Sequence, residues 1–237
     1  LVAKIKVERG KSLTSVIMIY RTGSPAGKDS DFRIWENDYF VEPFEVAELF
    51  TLAEHEIRRG PRDRKGTLHH TRVQFRSAEP HTERANRLVH HLLRQSGLPE
   101  DRAQAFEAAV KEAIDNATRH GHASSPRRSI DLMYLATPDQ VQVTVTDEGD
   151  GFEFRPYLDQ LRDEDAYVRA RKVHEAGRQG GLGILLMHRC CDRLEYLGRG
   201  NVVRLTRRVH AAAEAAKGGT KPAAKPAAKP ASQKKAV

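Results

Sequence analysis

The stretch 98–121, "LPEDRAQAFEAAVKEAIDNATRHG", constrains the fold most, because it places two different faces on one helix. Its composition favours a helix that runs into Gly121. Apolar side chains recur along one side at helical spacing: Phe106, Ala109, Val110, Ala113, Ile114 and Ala117. Glu112, Asn116 and His120 follow one another at intervals of four residues, so they share a neighbouring face with a slow angular drift. Taken alone, this polar row is compatible with a solvated helix edge or with a ligand-binding face.

Alternating strands and further amphipathic helices surround this helix. The sequence predicts strands at 71–77, 128–136, 140–147, 193–198 and 202–209, and further helices at 79–97 and 182–191. The helix at 79–97 carries its own apolar stripe: Ala85, Leu88, Val89, Leu92 and Leu93. We therefore expect an α/β two-layer sandwich, with helices packed on one face of a mixed sheet.

Both ends of the chain differ from this central pattern. Residues 1–66 are predicted to form an N-terminal extension of unknown role, with a strand in 15–23 and a helix in 43–59. Residues 211–237 contain a Lys-Pro-Ala-Ala repeat without large apolar side chains, which predicts a disordered cationic tail. The expected organisation is therefore an extension, a domain over 69–209, and a tail.

The charge distribution bears on nucleic-acid binding. The formal net charge is +8, but residues 211–237 hold six lysines and one glutamate, a net of +5, which leaves +3 for the other 210 residues. A solubilising role for the tail is the first interpretation, and non-specific attraction to nucleic acid or other polyanions is the other. If the chain binds nucleic acid at all, we expect the tail alone to do so.

Composition also bears on the compartment. No run of 18 apolar residues occurs, and the first residues lack the apolar core of a secretory signal. The chain has only two cysteines, Cys190 and Cys191, and adjacent cysteines rarely bridge one another without strain. We expect a cytoplasmic protein with no membrane span.

Two glycine-rich segments follow the helix in sequence order. "TDEGDGF" at 146–152 places Asp147, Gly149 and Gly151 directly after a predicted strand. Glycines at alternate positions allow a tight turn and a close approach to a ligand, while the carboxylate is held at the end of the strand. "GRQGGLGILL" at 177–186 places glycines before an apolar helix, where exposed amides favour bound phosphate. Each segment alone is also compatible with an ordinary tight turn.

The order and spacing of these motifs are far more specific than any one of them. The chain carries Glu-x3-Asn-Ala-x2-His-Gly on a helix, then Asp-x-Gly-x-Gly after a strand, then Gly-Gly-Leu-Gly-Ile. This series of motifs resembles that of the GHKL ATPase superfamily with its Bergerat fold. Within it, the chain is similar to the anti-sigma-factor serine/threonine kinases over residues 69–209. Three features carry this closer resemblance: the "VQFRSAEP" strand, the His-Gly after the asparagine, and Asp192 at the end of the last helix.

The resemblance implies ATP and Mg²⁺ as cofactors and a role for each motif residue. Asn116 would bind Mg²⁺ through its side-chain oxygen, and Glu112 would act as general base on the attacking hydroxyl or orient it through water. Asp147 would accept a hydrogen bond from the adenine amine. The remaining residues would contact the nucleotide: Gly149 and Gly151 at the base and ribose, Gly181 and Gly183 at the phosphates, and His120 and Arg178 near the phosphates or the lid.

The 28 residues between Gly151 and Gly180 would form the ATP lid and are heavily charged. A short helix of their own is possible in this composition. Arg178 is only a candidate for the phosphate-contacting arginine of such kinases, because it aligns one residue away from the expected position. His120 has an equally good alternative role in the structure of the helix end.

The resemblance implies a serine/threonine kinase that phosphorylates a STAS-like anti-sigma-factor antagonist, binds a sigma factor and forms a homodimer. A nucleotide-dependent regulatory module of the same fold without kinase activity is the main alternative. A sensor histidine kinase fits less well, because residues 1–66 do not resemble a dimerising, phosphate-accepting helix pair. The histidine pairs at 69–70 and 90–91 lack zinc spacing, so we expect no metal site besides that for Mg²⁺.

Overall fold

The computed structural model of the chain describes residues 1–23, 31–63, 66–122, 125–160 and 182–210. Its helices are α1 (Val2–Val7), α2 (Val46–Asp63), α3 (Glu79–Arg94), α4 (Glu100–Asn116), α5 (Arg155–Gln160) and α6 (Leu182–Cys190). Its strands are β1 (Ile17–Tyr20), β2 (Phe32–Ile34), β3 (Asp38–Val41), β4 (His69–Arg76), β5 (Ser129–Ala136), β6 (Gln140–Thr146), β7 (Arg193–Leu197) and β8 (Val202–Arg208). The predicted α/β sandwich is confirmed.

Six strands form the main sheet in the order β2-β4-β5-β6-β8-β7, and each neighbouring pair in it is antiparallel. The parallel pairing lies in a separate small sheet formed by β1 and β3. The β5–β6 hairpin turns at Thr137, whose hydroxyl oxygen accepts hydrogen bonds from the backbone N–H groups of Asp139 and Gln140. This side-chain turn explains why "TPD" separates two strands in register.

The core lies between α3, α4 and the main sheet. The predicted stripe of α4 is buried, with Phe106 and Ile114 fully inside, and the stripe of α3 is buried except for the partly exposed Leu88. Strand β4 alternates between buried and more exposed side chains, as its sequence predicts, and contributes Val73 and Phe75 to the core. Periodicity therefore predicts which faces form this core.

The N-terminal region is joined to the main sheet. Strand β2 pairs with β4, with Phe32 opposite Phe75. The ammonium group of Lys6 on α1 donates hydrogen bonds to the carbonyl oxygens of Ser12 and Thr14 and to Asn37 Oδ1. Residues before 66 thus extend the sheet of the predicted domain. The predicted tail (211–237) lies outside the described residues, and so does most of the predicted lid, although α5 falls within its first part.

Candidate active site

The predicted helix 98–121 changes its geometry at the residues of interest. Helix α4 ends at Asn116, and a π-helical turn follows over Ala117–Gly121, closed by the N–H of His122 donating to the carbonyl oxygen of Ala117 at 2.9 Å. On a regular α-helix each step of four residues advances a side chain by about 40°. The wider π turn removes part of this drift, and Glu112, Asn116 and His120 all line one cleft.

This cleft has a volume of about 1030 Å³, which is ample for a nucleotide. Its walls come from α4, the π turn, the end of β6, the start of α6 and the β7–β8 turn. Six of the predicted site residues line it: Glu112, Asn116, His120, Asp147, Gly151 and Gly183. Gly181 and Arg178 lie outside the described residues. The polar row of α4 therefore faces a cleft and is not a solvated edge.

Gly183 brings the first turn of α6 against the polar row of α4. A Cβ atom at this position would lie 2.1 Å from Glu112 Oε1 and 3.3 Å from Asn116 Nδ2. Burial raises the pKa of Glu112 above its ordinary value, although the nearby Arg119 and the hydrogen bond from Asn116 act in the opposite direction. Only glycine leaves room here for the carboxylate to stay beside the helix start.

We expect Gly183→Ala to displace Glu112, because the new methyl group would overlap the carboxylate oxygen. The first turn of α6 would move away from Asn116, and ATP affinity would fall by about tenfold or more. Isothermal titration with ATP and Mg²⁺ measures this change. His188→Ala is the control, since His188 is exposed on the same helix and does not line the cleft. Unchanged affinity in Gly183→Ala would show that the close contact is dispensable.

Asp147 lies directly after β6 and is held between the π turn and its own loop. Its Oδ1 atom accepts a hydrogen bond from the N–H of Gly149 at 2.7 Å. A Cβ atom on Gly121 would lie 2.4 Å from the same oxygen, so a side chain at position 121 would displace the Asp147 carboxylate. Burial raises the pKa of Asp147, and the Gly149 hydrogen bond only partly opposes this shift. A desolvated carboxylate in this position is a strong acceptor for a ligand N–H group.

The β7–β8 turn anchors the Asp147 loop, and sequence reasoning missed it. The backbone N–H of Asp147 donates to the carbonyl oxygen of Asn201 at 3.0 Å, and Asn201 Nδ2 donates to the carbonyl oxygen of Asp147 at 2.9 Å. Gly151 has a φ of +78°, and a Cβ there would lie 2.1 Å from the carbonyl oxygen of Arg199. A glycine at 151 is therefore required by this turn, whatever passes over it in the cleft.

Gly149 has a similar explanation. A Cβ atom there would lie 2.1 Å from the carbonyl oxygen of Gly121. Both glycines of the Asp-x-Gly-x-Gly motif thus permit close contacts between backbone segments. Their predicted contacts with the base and ribose stay a prediction.

His122 is a second functional candidate that the sequence did not single out. It is buried, and its Nε2 accepts a hydrogen bond from the N–H of Glu148 at 2.9 Å, while its Nδ1 lies 2.5 Å from Ser77 Oγ. Because Nε2 accepts, the neutral ring carries its proton on Nδ1 and donates it to the serine. Burial lowers the pKa of His122. The ring thereby ties the residue after Asp147 to the end of β4.

We expect His122→Ala to reduce the free energy of unfolding by about 1–3 kcal/mol, because it leaves the Glu148 N–H without its acceptor. Since burial lowers the folded pKa, the unfolded state takes up the proton first as the pH falls. The stability supplied by His122 should therefore decline below the ordinary histidine pKa of about 6.5. Urea unfolding of both proteins at several pH values measures this. A pH-independent difference would contradict the neutral, accepting ring.

Aromatic side chains form an apolar wall of the cleft. The rings of Phe152 and Tyr196 meet edge to face at 5.2 Å, and Phe154 stacks on Tyr196 at 5.5 Å. Phe152, Tyr157 and Tyr196 all line the cleft. The site therefore combines an apolar wall with a few convergent polar groups, as is typical of small-molecule sites.

A family model described as "Histidine kinase-like ATPase domain" matches residues 75–207. This range covers more than half of the chain and includes every described residue of the cleft. The chain belongs to this family. The matched range begins within β4, so α1, α2 and β1–β3 lie before it.

Curated relatives narrow the similarity to one branch of the family. The chain is 29% identical over 98 residues to "Serine-protein kinase RsbW" of Bacillus subtilis. The aligned segment covers 41% of this chain and 59% of the relative. The corresponding protein of Listeria monocytogenes serotype 4a is 26% identical over 117 residues, covering 49% and 72%. The RsbW of Bacillus pumilus is 28% identical over 92 residues, covering 38% and 54%. The chain thus spans about three-fifths of the length of the first Bacillus relative.

In the part of the chain that the structure describes, no helix is both long and apolar enough to cross a bilayer.

Proposed function

We propose that this chain is an ATP- and Mg²⁺-dependent serine/threonine protein kinase of the anti-sigma-factor type. The observation that carries the proposal is the convergence of Glu112, Asn116 and Asp147 on one cleft of nucleotide size. The family match supports ATP use, and the names of the relatives support phosphorylation of serine.

Adenine recognition is assigned to Asp147. A carboxylate accepts hydrogen bonds only, so it complements the exocyclic amine of adenine and repels the carbonyl oxygen that guanine presents at the same position. The hydrogen bond from Gly149 occupies Oδ1, which leaves the other oxygen for the base. The aromatic wall beside it provides an apolar surface for the ring.

The triphosphate end of the nucleotide is assigned to α4 and α6. Asn116 offers an amide oxygen, and Mg²⁺ prefers a small number of protein oxygen ligands together with phosphate and water. Bound Mg²⁺ would neutralise phosphate charge. Gly183, together with Gly181, Arg178 and His120, would complete the phosphate site.

Glu112 is assigned as general base. The serine or threonine oxygen attacks the γ-phosphorus, the bond to the ADP oxygen breaks, and the hydroxyl proton passes to Glu112, directly or through water. Burial raises the pKa of Glu112 and so makes its carboxylate a stronger base. The groove between α4 and α6 holds this carboxylate beside Gly183, at the end of the cleft assigned to the phosphates.

The proposal extends to the partners and the setting. The substrate would be a STAS-like antagonist with an accepting serine or threonine, and the chain would bind a sigma factor in a manner that depends on nucleotide. We further propose a homodimer in the cytoplasm, with any nucleic-acid binding limited to residues 211–237.

The test is transfer of labelled γ-phosphate from ATP to candidate STAS-like proteins that are encoded in the same genome as this chain. The proposal predicts one phosphorylated serine or threonine on a single antagonist, and capture of a sigma factor that differs between ADP and ATP. ATP binding without any transfer would instead support a regulatory module that does not phosphorylate its partner.

A further inference from the structure

His122 joins two segments on which the cleft depends. Its backbone N–H closes the π turn by donating to the carbonyl oxygen of Ala117 at 2.9 Å. Its buried ring reaches the loop after β6, where Nε2 accepts a hydrogen bond from the N–H of Glu148 at 2.9 Å. Glu148 directly follows Asp147. The ring therefore holds the stretch of backbone that carries the carboxylate proposed to bind adenine.

The second contact of the ring determines its tautomer. Nδ1 lies 2.5 Å from Ser77 Oγ, and Ser77 is itself buried just after β4. Because Nε2 accepts from a backbone N–H, it carries no proton, and the proton of the neutral ring is on Nδ1. Ser77 thus stabilises the one neutral form of His122 that can bind the Glu148 N–H.

A proton on Nε2 would reverse the contact with the loop. An imidazolium has two donors and no acceptor. Its Nε2–H would then face the N–H of Glu148, donor against donor, at a separation of 2.9 Å. A donor that loses its acceptor in this way is unfavourable. The loop that carries Asp147 would therefore have to move away from the ring.

Among the described residues, three charged groups act on the ring. The carboxylates of Asp147 and Glu148 favour the imidazolium, and the guanidinium of Arg128 opposes it. Glu148 Oε2 already accepts a hydrogen bond from the N–H of Ser129 at 3.1 Å, and Arg128 donates to the carbonyl oxygen of Gly121 at 3.2 Å. Asp147, in contrast, is assigned to adenine through its second oxygen. A charged His122 would therefore compete with the base for this carboxylate.

We propose that His122 is a positioning residue of the ATP site, and that tight ATP binding requires its ring to be neutral. The proposal rests on the assignment of Asp147 to adenine under the proposed function. It makes ATP affinity fall as the pH falls, since acid converts the ring to the form that cannot hold the loop.

The pH range follows from the surroundings of the ring. Burial lowers the pKa of His122, so the ring is neutral near pH 7. The loss of affinity should therefore occur below the ordinary histidine value of about 6.5. Because ATP binds the neutral form better, bound ATP should in turn lower the pKa of the ring further.

Calorimetric titration of the full chain with ATP and Mg²⁺ at about pH 7.5 and about pH 5.5 tests the proposal. His122→Gln should bind ATP nearly as well as the wild type at the higher pH, because an amide oxygen can replace Nε2 as acceptor. Since an amide does not titrate, the wild type should lose about threefold or more affinity at the lower pH relative to this variant. The comparison cancels the ionisation of ATP and of Asp147, which both proteins share.

His55→Gln is the matched control. His55 is exposed on α2 and does not line the cleft. The affinity of this variant should fall with pH as steeply as that of the wild type. A shallower fall would show that the loss of any histidine weakens the pH dependence, and would contradict a specific role for His122.

Nitrogen-15 NMR of the histidine rings provides a readout that does not depend on affinity. The His122 signals, identified by their absence from His122→Gln, should show the proton on Nδ1 at neutral pH, and saturation with ATP and Mg²⁺ should lower the pKa of the ring. A proton on Nε2, a pKa unchanged by ATP, or parallel pH profiles for the wild type and His122→Gln would each overturn the proposal. A wild type that binds no ATP at either pH would instead contradict the proposed function, and this proposal with it.

Discussion

Asp147→Asn should lower ATP affinity by about 100-fold or more while it stabilises the empty protein. In this variant the amide oxygen is needed to accept the Gly149 hydrogen bond, so the NH₂ group points towards the base. The affinity falls because this NH₂ group and the adenine amine are both donors. Stability rises because burial raises the pKa of Asp147, which means that the folded chain disfavours the ionised carboxylate.

The sign of the pH dependence follows from this shift. A carboxyl whose folded pKa is raised contributes stability at low pH that is lost as the pH rises through the folded pKa. The advantage of Asp147→Asn should therefore be present at neutral pH and shrink on acidification, as the wild-type carboxyl becomes neutral.

Calorimetric ATP titration and thermal unfolding without nucleotide measure the two effects. Asp150→Asn is the matched control, because Asp150 is exposed in the same loop. Its affinity and midpoint should match those of the wild type. Tight ATP binding by Asp147→Asn would show that another group selects the base.

Glu112→Gln should reduce phosphate transfer by about 10²- to 10⁴-fold and leave ATP binding nearly unchanged. The amide has the shape of the carboxylate and fits beside Gly183, but it cannot accept the hydroxyl proton. Single-turnover transfer of labelled phosphate to the antagonist, together with ATP titration, separates the two effects.

The matched control for this variant is Glu107→Gln. Glu107 lies on the same helix and forms a hydrogen bond with His90 Nδ1 at 2.9 Å, but it does not line the cleft. Its transfer rate should stay close to that of the wild type. Equal losses in both variants would indicate a general effect of charge and not proton transfer to Glu112.

The parts of the fold that depend on local periodicity were predictable from sequence. The buried stripe of α4 and the alternation of β4 follow from spacing alone, because each residue's face is determined by its own helix or strand. The three-residue strand β2 has no such period, and its place beside β4 arises from long-range pairing.

The cleft was predictable only in part for the same reason. The positions of Glu112, Asn116 and Asp147 around one cleft follow from motif order. Local sequence does not indicate that Asn201 holds the Asp147 backbone or that His122 holds the following N–H, since both contacts join distant segments. Helical spacing alone predicted a regular helix end. The π turn that replaces it lies against Asp147 through Gly121, and this contact also joins distant segments.

Titration of the wild-type chain with ATP and with GTP, each with Mg²⁺ and with a chelator, tests the central claim most directly. The geometry of Asp147 and Asn116 predicts saturable ATP binding that weakens when Mg²⁺ is removed, and GTP binding that is weaker by at least about tenfold. Equal affinity for the two nucleotides, or no ATP binding in the presence of Mg²⁺, would contradict the assignment of this cleft.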